Sequence, residues 1–217
     1  MWSIAEHLAK RNEVGGINAT ALNTLAEVKA EMALDTTNTN SIVCRLRGYA
    51  AQAQQFVAKT GKAHFFSSNT MENIEATSNT AVCALNTASK KVVVKIRNTS
   101  FKFKNGLMEE HFNENYMESD KYEFSTLEGV IAENIDFTRD GVYDVTIKGS
   151  LDVHGVKVER EIKGRLTIAN GVPVEGTAKF DIKLADHKIK IPSMLGANIA
   201  EVIPVDVDFH YEKYEKK

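Results

Sequence analysis

The clearest pattern along the chain is an alternation of apolar and polar residues between residues 142 and 168. In 142–153 the apolar side chains occupy odd positions, whereas in 156–168 they occupy even positions. A period of two is typical of a strand with one buried face, and the dipeptide His154-Gly155 between the two runs predicts a tight turn. The two segments therefore predict a long β-hairpin.

Two further segments continue this pattern towards the C-terminus. One follows Asn170-Gly171 and alternates over 172–184, and the last alternates over 205–211. Four long strands joined by tight turns favour an antiparallel meander. Strands of this length normally curl or close, because a flat sheet of them would leave its edges exposed. We therefore expect a closed all-β barrel of about eight strands.

Shorter runs upstream supply the other strands of this barrel. Alternation is visible in four of them, at 63–67, 74–76, 92–96 and 127–131. Between the last two, residues 107–117 carry apolar side chains with helical spacing, which predicts one short amphipathic helix. A helix inserted among strands would plug or rim one end of the barrel.

Residues 1–56 differ in kind from the rest of the chain. Leu22, Leu25 and Val28 form part of a helical stripe within 1–34, and a polar run over 35–41 predicts a loop. Residues 50–54 have the small-residue pattern of a signal-peptidase site, but no apolar segment precedes them. We therefore expect a helical or partly disordered leader over 1–56, without a clear signal peptide, and a barrel domain over 57–217.

Composition and charge exclude several classes of function. The 217 residues include 27 Lys and Arg against 29 Asp and Glu, a net charge of −2 that disfavours nucleic acid as a partner. No apolar run approaches the length of a membrane-spanning helix. Cys44 and Cys83 lack the CxxC spacing of a zinc or redox site, and one disulfide or two free thiols remain equally open.

Catalytic signatures are also missing from the sequence. We find no GxSxG elbow, HExxH pair, P-loop or GxGxxG turn that opens a helix. We therefore predict a protein that is not an enzyme and that needs no cofactor or metal.

Three stretches within about 57–212 resemble the YceI-like family. Residues 107–122 look like the helix and turn of one bacterial branch, 149–156 match its G-x-L-x-x-H-G-V hairpin, and 180–187 resemble a strand that ends in an Asp-containing turn. The chain departs from the family at Glu123, where Pro is usual, and at Leu127, where an aromatic residue is usual.

The resemblance implies a lipocalin-like barrel that binds or transports an isoprenoid-like lipid of the polyprenyl or quinone type. It also implies a bacterial protein that is periplasmic or secreted, and a homodimer, since family members often pair. Strand parity and the helix face then select the expected ligand contacts, which are Phe65, Leu107, Phe112, Tyr116, Leu127, Ile131, Tyr143, Ile147, Leu166, Phe180 and Phe209.

The sequence allows two interpretations of the barrel interior, a cavity or a filled core. Gly129, Gly149, Gly164 and Gly176 place small residues where larger ones would fill the barrel, which favours a cavity. Alternatively these glycines only permit strand coiling and the core is filled. In that case the protein would be a structural or stress-associated module that acts through a protein partner.

Three polar residues carry similar alternatives. Arg160, on an apolar face, either meets a polar ligand head or marks a bulge. His154, before the turn glycine, either hydrogen-bonds nearby backbone or has a chemical role. His111, on the helix, lies either at the ligand rim or on the surface.

Overall fold

The computed structural model describes residues 54–67, 73–190 and 200–214. This part of the chain consists mostly of strands, with one short helix, α1, over Gly106–His111. The strands are β1 (Gln55–Ser67), β2 (Ile74–Asn86), β3 (Lys91–Arg97), β4 (Lys102–Phe103), β5 (Phe124–Ile131), β6 (Gly141–Val153), β7 (Val156–Ala169), β8 (Val172–Lys183), β9 (Val202–His210) and β10 (Glu212–Lys213).

Eight of these strands close into an antiparallel barrel. Neighbouring strands follow the order β1, β2, β3, β5, β6, β7, β8, β9, and β9 pairs again with β1. The short strands β4 and β10 add to β2 and β1 respectively. The closed all-β barrel with one inserted helix, predicted from strand alternation, is confirmed.

The β6–β7 hairpin is the most regular part of the barrel wall. Its register is unbroken from Gly141 opposite Ile168 to Val153 opposite Val156. His154 and Gly155 both have positive φ, 54° and 68°, as a two-residue hairpin turn requires. The change from odd to even apolar positions follows from this turn, because a two-residue loop keeps both apolar faces on the same side of the sheet.

Strands β1 and β2 are longer than the short runs that the sequence predicted there. Each has 13 residues, and their pairing is shifted between Ala58 and Gly61 and again between Gly61 and Ala63. A bulge inserts an extra residue and so changes which positions face inward. The alternation of β1 is interrupted at Lys59 and Thr60, which explains why the pattern shows only its second half.

The two ends of the barrel are built differently. Large buried side chains such as Phe56, Leu85 and Ile168 fill the end near the β7–β8 turn. At the opposite end, α1 and a π-helical turn over Phe112–Tyr116 lie across the opening. No helix among the described residues is long and apolar enough to cross a membrane.

Some of the sequence predictions concern residues outside the described ranges. The helical stripe within 1–34 and Cys44 are among them. Strand β1 begins at Gln55, two residues before the predicted boundary of the barrel domain. Cys83 is buried on β2 and is a free thiol.

Candidate functional site

The covered end of the barrel encloses a cavity of about 470 Å³. Among the described residues, side chains of seven of the eight barrel strands line its wall, and α1 with the π-helical turn forms its cover. Most of these side chains are aliphatic or aromatic; the strand residues among them include Ala63, Phe65, Ile96, Leu151, Val153, Ile182, Ile203 and Val205. A largely apolar concave space of this size lies in the usual range of small-molecule sites.

Four phenylalanine rings form a cluster where the cover meets the wall. Phe112 of the π-helical turn contacts Phe65, Phe101 and Phe103, with ring centroids 5.6, 5.7 and 5.1 Å apart. Phe65 also lies 5.4 Å from Phe101 and 5.8 Å from Phe103. These separations fall within the range of favourable aromatic pairs, so the cluster fixes the cover against β1 and β4.

Local hydrogen bonds explain why the chain forms a helix at this place. Asn105 caps α1 by accepting a hydrogen bond from the backbone N–H of Leu107 at 2.9 Å. Glu109 accepts hydrogen bonds from Lys102 at 2.5 Å and from the backbone N–H of Phe103 at 3.4 Å, which ties α1 to β4. The hydrogen bond from Lys102 lowers the pKa of Glu109.

Polar groups in the wall are mostly satisfied by the protein itself. Asn98 is fully buried, donates to the Tyr122 carbonyl at 2.6 Å and accepts from Ser125 at 2.8 Å. The Tyr116 hydroxyl is buried and has no hydrogen-bond partner among the described residues, and burial raises the pKa of that phenol. His111 and the 57% exposed Leu107 lie on the cover, where the cavity approaches solvent.

A second, smaller void of about 50 Å³ lies deeper in the barrel. On β3 the large cavity is lined by Val94 and Ile96, whereas the small one is lined by Val92 and Val94. Strands β5, β8 and β9 likewise contribute residues to the lining of both spaces. The two voids therefore lie one after the other along the barrel axis. Cys83 and Tyr211 line the small void, and their Sγ and Oη atoms are 3.3 Å apart.

Comparison with known proteins assigns the family of this barrel. The profile described as YceI-like domain matches residues 12–211. The chain belongs to the YceI-like family. The match begins well before the predicted domain boundary at residue 57, and it confirms the resemblance carried by the helix, hairpin and strand motifs. No curated protein matches the chain.

Solved structures share the YceI-like fold at low sequence identity. A polyisoprenoid binding domain from Saccharophagus degradans, implicated in plant cell wall breakdown, has a TM-score of 0.58 at 17% identity, covering 75% of this chain and 99% of that one. BcnA from Burkholderia cenocepacia has a TM-score of 0.56 at 12% identity, covering 70% and 96% of the two chains. At these identities the likeness concerns the fold.

The eleven contacts selected from the sequence are distributed over both voids of the YceI-like barrel. Seven line the large cavity, namely Phe65, Leu107, Phe112, Tyr116, Leu127, Phe180 and Phe209, and the last three of these also line the small void. Three line only the small void, namely Ile131, Ile147 and Leu166. Tyr143 lines neither void, and its hydroxyl donates to the Arg139 carbonyl at 2.8 Å.

The structure adds lining residues that sequence reasoning passed over. Ile182 and Val205 continue the inward parity of β8 and β9, so strand alternation alone could have included them. Phe101 follows a 3₁₀ turn over Asn98–Ser100, and no alternation marks it as inward-facing. Its contribution depends on how that turn redirects the chain between β3 and β4.

None of the four interior glycines lines the large cavity, which corrects one expectation from the sequence, although Gly164 and Gly176 do line the small void. A Cβ on Gly149 would lie 2.1 Å from the Glu128 carbonyl oxygen, and one on Gly129 would lie 2.8 Å from that of Lys148. These two glycines face each other across β5 and β6 and line neither void. They permit close approach of the strands, so replacing Gly149 by Leu would disrupt the wall rather than fill the interior.

Arg160 and His154 hold structural positions instead of lining the cavity. The β7–β8 register ends at Gly164 opposite Ala178, and beyond that point Arg160 donates to the Asp181 carbonyl at 2.5 Å. His154 is hydrogen-bonded to the His187 carbonyl at 3.2 Å and to the Glu118 carboxylate at 2.8 Å. His154 therefore does hydrogen-bond to the backbone, as one of the two interpretations predicted, although its backbone partner, His187, is distant in sequence.

Proposed function

We propose that this YceI-like barrel binds an isoprenoid-type lipid in its large cavity without catalysing a reaction. The observation that carries the proposal is the cavity itself, about 470 Å³ in volume and lined mainly by apolar side chains. An engineered apolar cavity of about 150 Å³ holds benzene, so this one has room for about three groups of that size, or three to four isoprene units.

The chemistry of the lining favours a hydrocarbon chain over a polar molecule. Each buried methylene contributes about 0.8 kcal/mol, so a prenyl chain gains most of its affinity without hydrogen bonds. The buried polar atoms of Asn98 and Ser125 already bond each other, which leaves them little capacity to hold a polar ligand. The similarity to a protein named as a polyisoprenoid binding domain agrees with this choice.

A filled barrel acting only through a protein partner is less well supported. Its premise was an interior packed solid, and a space of 470 Å³ contradicts that premise. A non-catalytic role is favoured because, within the described residues, Ser125 is bonded to Asn98 rather than to a histidine that could activate it. Export to the periplasm and homodimer formation stay predictions from the family resemblance.

A matched pair of tryptophan variants on β9 tests the proposal. Val205 lines the cavity, whereas Val202 on the same strand faces outward and is 44% exposed. We expect Val205→Trp to weaken binding of geranylgeraniol at least tenfold, because the indole occupies the ligand space. Val202→Trp should bind as the unmodified protein does, in a displacement assay with a fluorescent naphthylamine probe. Equal affinity of all three proteins, or no binding by any of them, would count against the proposal.

A further inference from the structure

Five side chains separate the large cavity from the small void beneath it. They are the residues that line both spaces, namely Val94, Leu127, Phe180, Val207 and Phe209. They come from two pairs of neighbouring strands, β3 with β5 and β8 with β9, and therefore face each other from opposite sides of the barrel, between the two spaces. We call this layer the partition.

Backbone geometry holds the partition in place. Phe209 is 4% exposed, and its ring lies 2.3 Å from where a Cβ on Gly61 would be. The ring thus occupies space that only glycine leaves free on β1. On its other side Phe209 is paired with Gly176 of β8, which is in turn covered by Tyr211. Glycines on both neighbouring strands, Gly61 and Gly176, thus lie beside Phe209.

We propose that the partition is a stop that sets the length of hydrocarbon tail this protein accepts. The proposal rests on the lipid binding proposed above and concerns the tail end of that ligand. Polar groups of Asn105 and His111 lie at the covered mouth, so a ligand with a polar head places its tail towards the partition. The tail then ends against Leu127, Phe180 and Phe209, and the small void beneath stays empty.

The small void makes this stop testable. Its volume is about 50 Å³ and its lining is mainly aliphatic, so it offers a tail an apolar space. A tail that reached it would bury additional methylenes, each of which tightens binding about fourfold. Affinity should therefore stop rising with tail length at about four isoprene units while the partition is intact.

Two leucines that face each other across β5 and β6 provide a matched pair. Leu127 and Leu151 are direct cross-strand partners with 7% and 5% exposure, but only Leu127 belongs to the partition. Affinities are measured for all-trans prenyl alcohols from two to nine isoprene units. We expect Leu127→Ala to move the limiting length upward by about one unit, with at least tenfold tighter binding there. Leu151→Ala should keep the original limit.

Methyl NMR reports tail entry independently of affinity. Val145 and Ile162 line the small void and not the large cavity. A long prenyl alcohol should shift their methyl signals in Leu127→Ala and leave them unchanged in the unmodified protein and in Leu151→Ala. Ala178→Val, which narrows the small void, should cancel the shift when added to Leu127→Ala. Val207→Ala with its strand neighbour Val205→Ala serves as a milder pair if Leu127→Ala does not fold.

The possible outcomes separate this inference from the function on which it rests. Equal limits in Leu127→Ala and Leu151→Ala would overturn it, because total volume and not the partition would then set tail length. Shifted Val145 and Ile162 signals in the unmodified protein would also overturn it. Failure to bind a prenyl alcohol of any length would refute the proposed function instead.

Discussion

Cys83 and Tyr211 form a buried polar pair at the inner end of the barrel interior. The thiol is 1% exposed and lies 3.3 Å from the Tyr211 hydroxyl. Burial raises the pKa of Cys83 to about 11, although the hydrogen bond with Tyr211 opposes part of that rise. Burial likewise raises the pKa of Tyr211. Both groups are therefore neutral in the folded protein at ordinary pH.

This pair predicts a loss of stability at alkaline pH. The pKa of Cys83 is about 11 in the folded chain against 9.0 as the unperturbed value. Between these two pH values the unfolded chain has released a proton that the folded chain keeps, so the free energy of unfolding falls as pH rises. The loss attributable to Cys83 is at most about 3 kcal/mol and levels off above the folded pKa.

Urea denaturation between pH 8 and pH 11 measures this effect. Cys83→Ala should flatten the profile between pH 9 and pH 11, whatever constant offset the substitution introduces at pH 8. The loss due to Tyr211 should remain at the upper end of this pH range, because its folded pKa lies well above 10. Parallel profiles for the two proteins would show that the thiol does not titrate as its burial requires.

Pairs of facing glycines matter at the scale of the strand. Gly129 and Gly149 oppose each other on β5 and β6, and a Cβ on Gly149 would lie 2.4 Å from the Cα of Gly129. The two strands thus approach more closely than side chains would allow. The two glycines therefore allow β5 and β6 to pack closely in the barrel wall. They do not form the large cavity, which lies beneath the helical cover.

Alanine substitutions distinguish a tight glycine from a free one. Gly149→Ala should lower the free energy of unfolding by about 1–3 kcal/mol, since the methyl group meets backbone that must shift. Gly106→Ala is the control, because nothing lies within 4 Å of its Cβ position. At the start of α1 it should be neutral or stabilise by up to about 1 kcal/mol. Similar losses in both variants by thermal denaturation would contradict this account.

The sequence predicts long regular strands well and irregular elements poorly. The period of two located β6 and β7 because their register is continuous, and it located only the second half of β1, because the bulge near Gly61 changes parity. Parity also placed Leu127 and Phe180 towards the interior. It could not find Phe101, whose position depends on a 3₁₀ turn, or tell that Tyr143 lies away from both voids.

The gap between β7 and β8 shows why element pairing needs three-dimensional information. Regular pairing stops at Gly164, and side chains bridge the opening beyond it. Arg160 reaches the Asp181 carbonyl, and His187, fully buried, is hydrogen-bonded to the Val156 carbonyl at 3.0 Å. From the sequence alone, Arg160 is only a charged residue on an otherwise apolar strand face, and its bond to Asp181 could not be predicted.

Across the whole barrel, packing is uneven between the two ends. The end near the β7–β8 turn is filled by side chains such as Phe56 and Ile168, whereas the covered end encloses about 470 Å³. Side chains around an empty space lose contacts that a filled interior would provide. The covered half should therefore be the less stable half of the free protein and the half that a ligand stabilises most.

The unequal packing of the two ends can be tested by measuring how a ligand changes the free energy of unfolding. A ligand that binds only the folded chain at a hundred times its dissociation constant raises the free energy of unfolding by about 2.7 kcal/mol. With geranylgeraniol we expect that gain in urea denaturation of the unmodified protein and at most about 1.4 kcal/mol in Val205→Trp, which should bind at least tenfold more weakly. Amide hydrogen exchange should slow mainly around α1 and the mouth-facing ends of β1 and β9, since the closed end is already packed. Uniform slowing along β6 and β7, including the residues near Tyr143, would mean that the ligand stabilises the barrel as one unit rather than through the cavity beneath its cover.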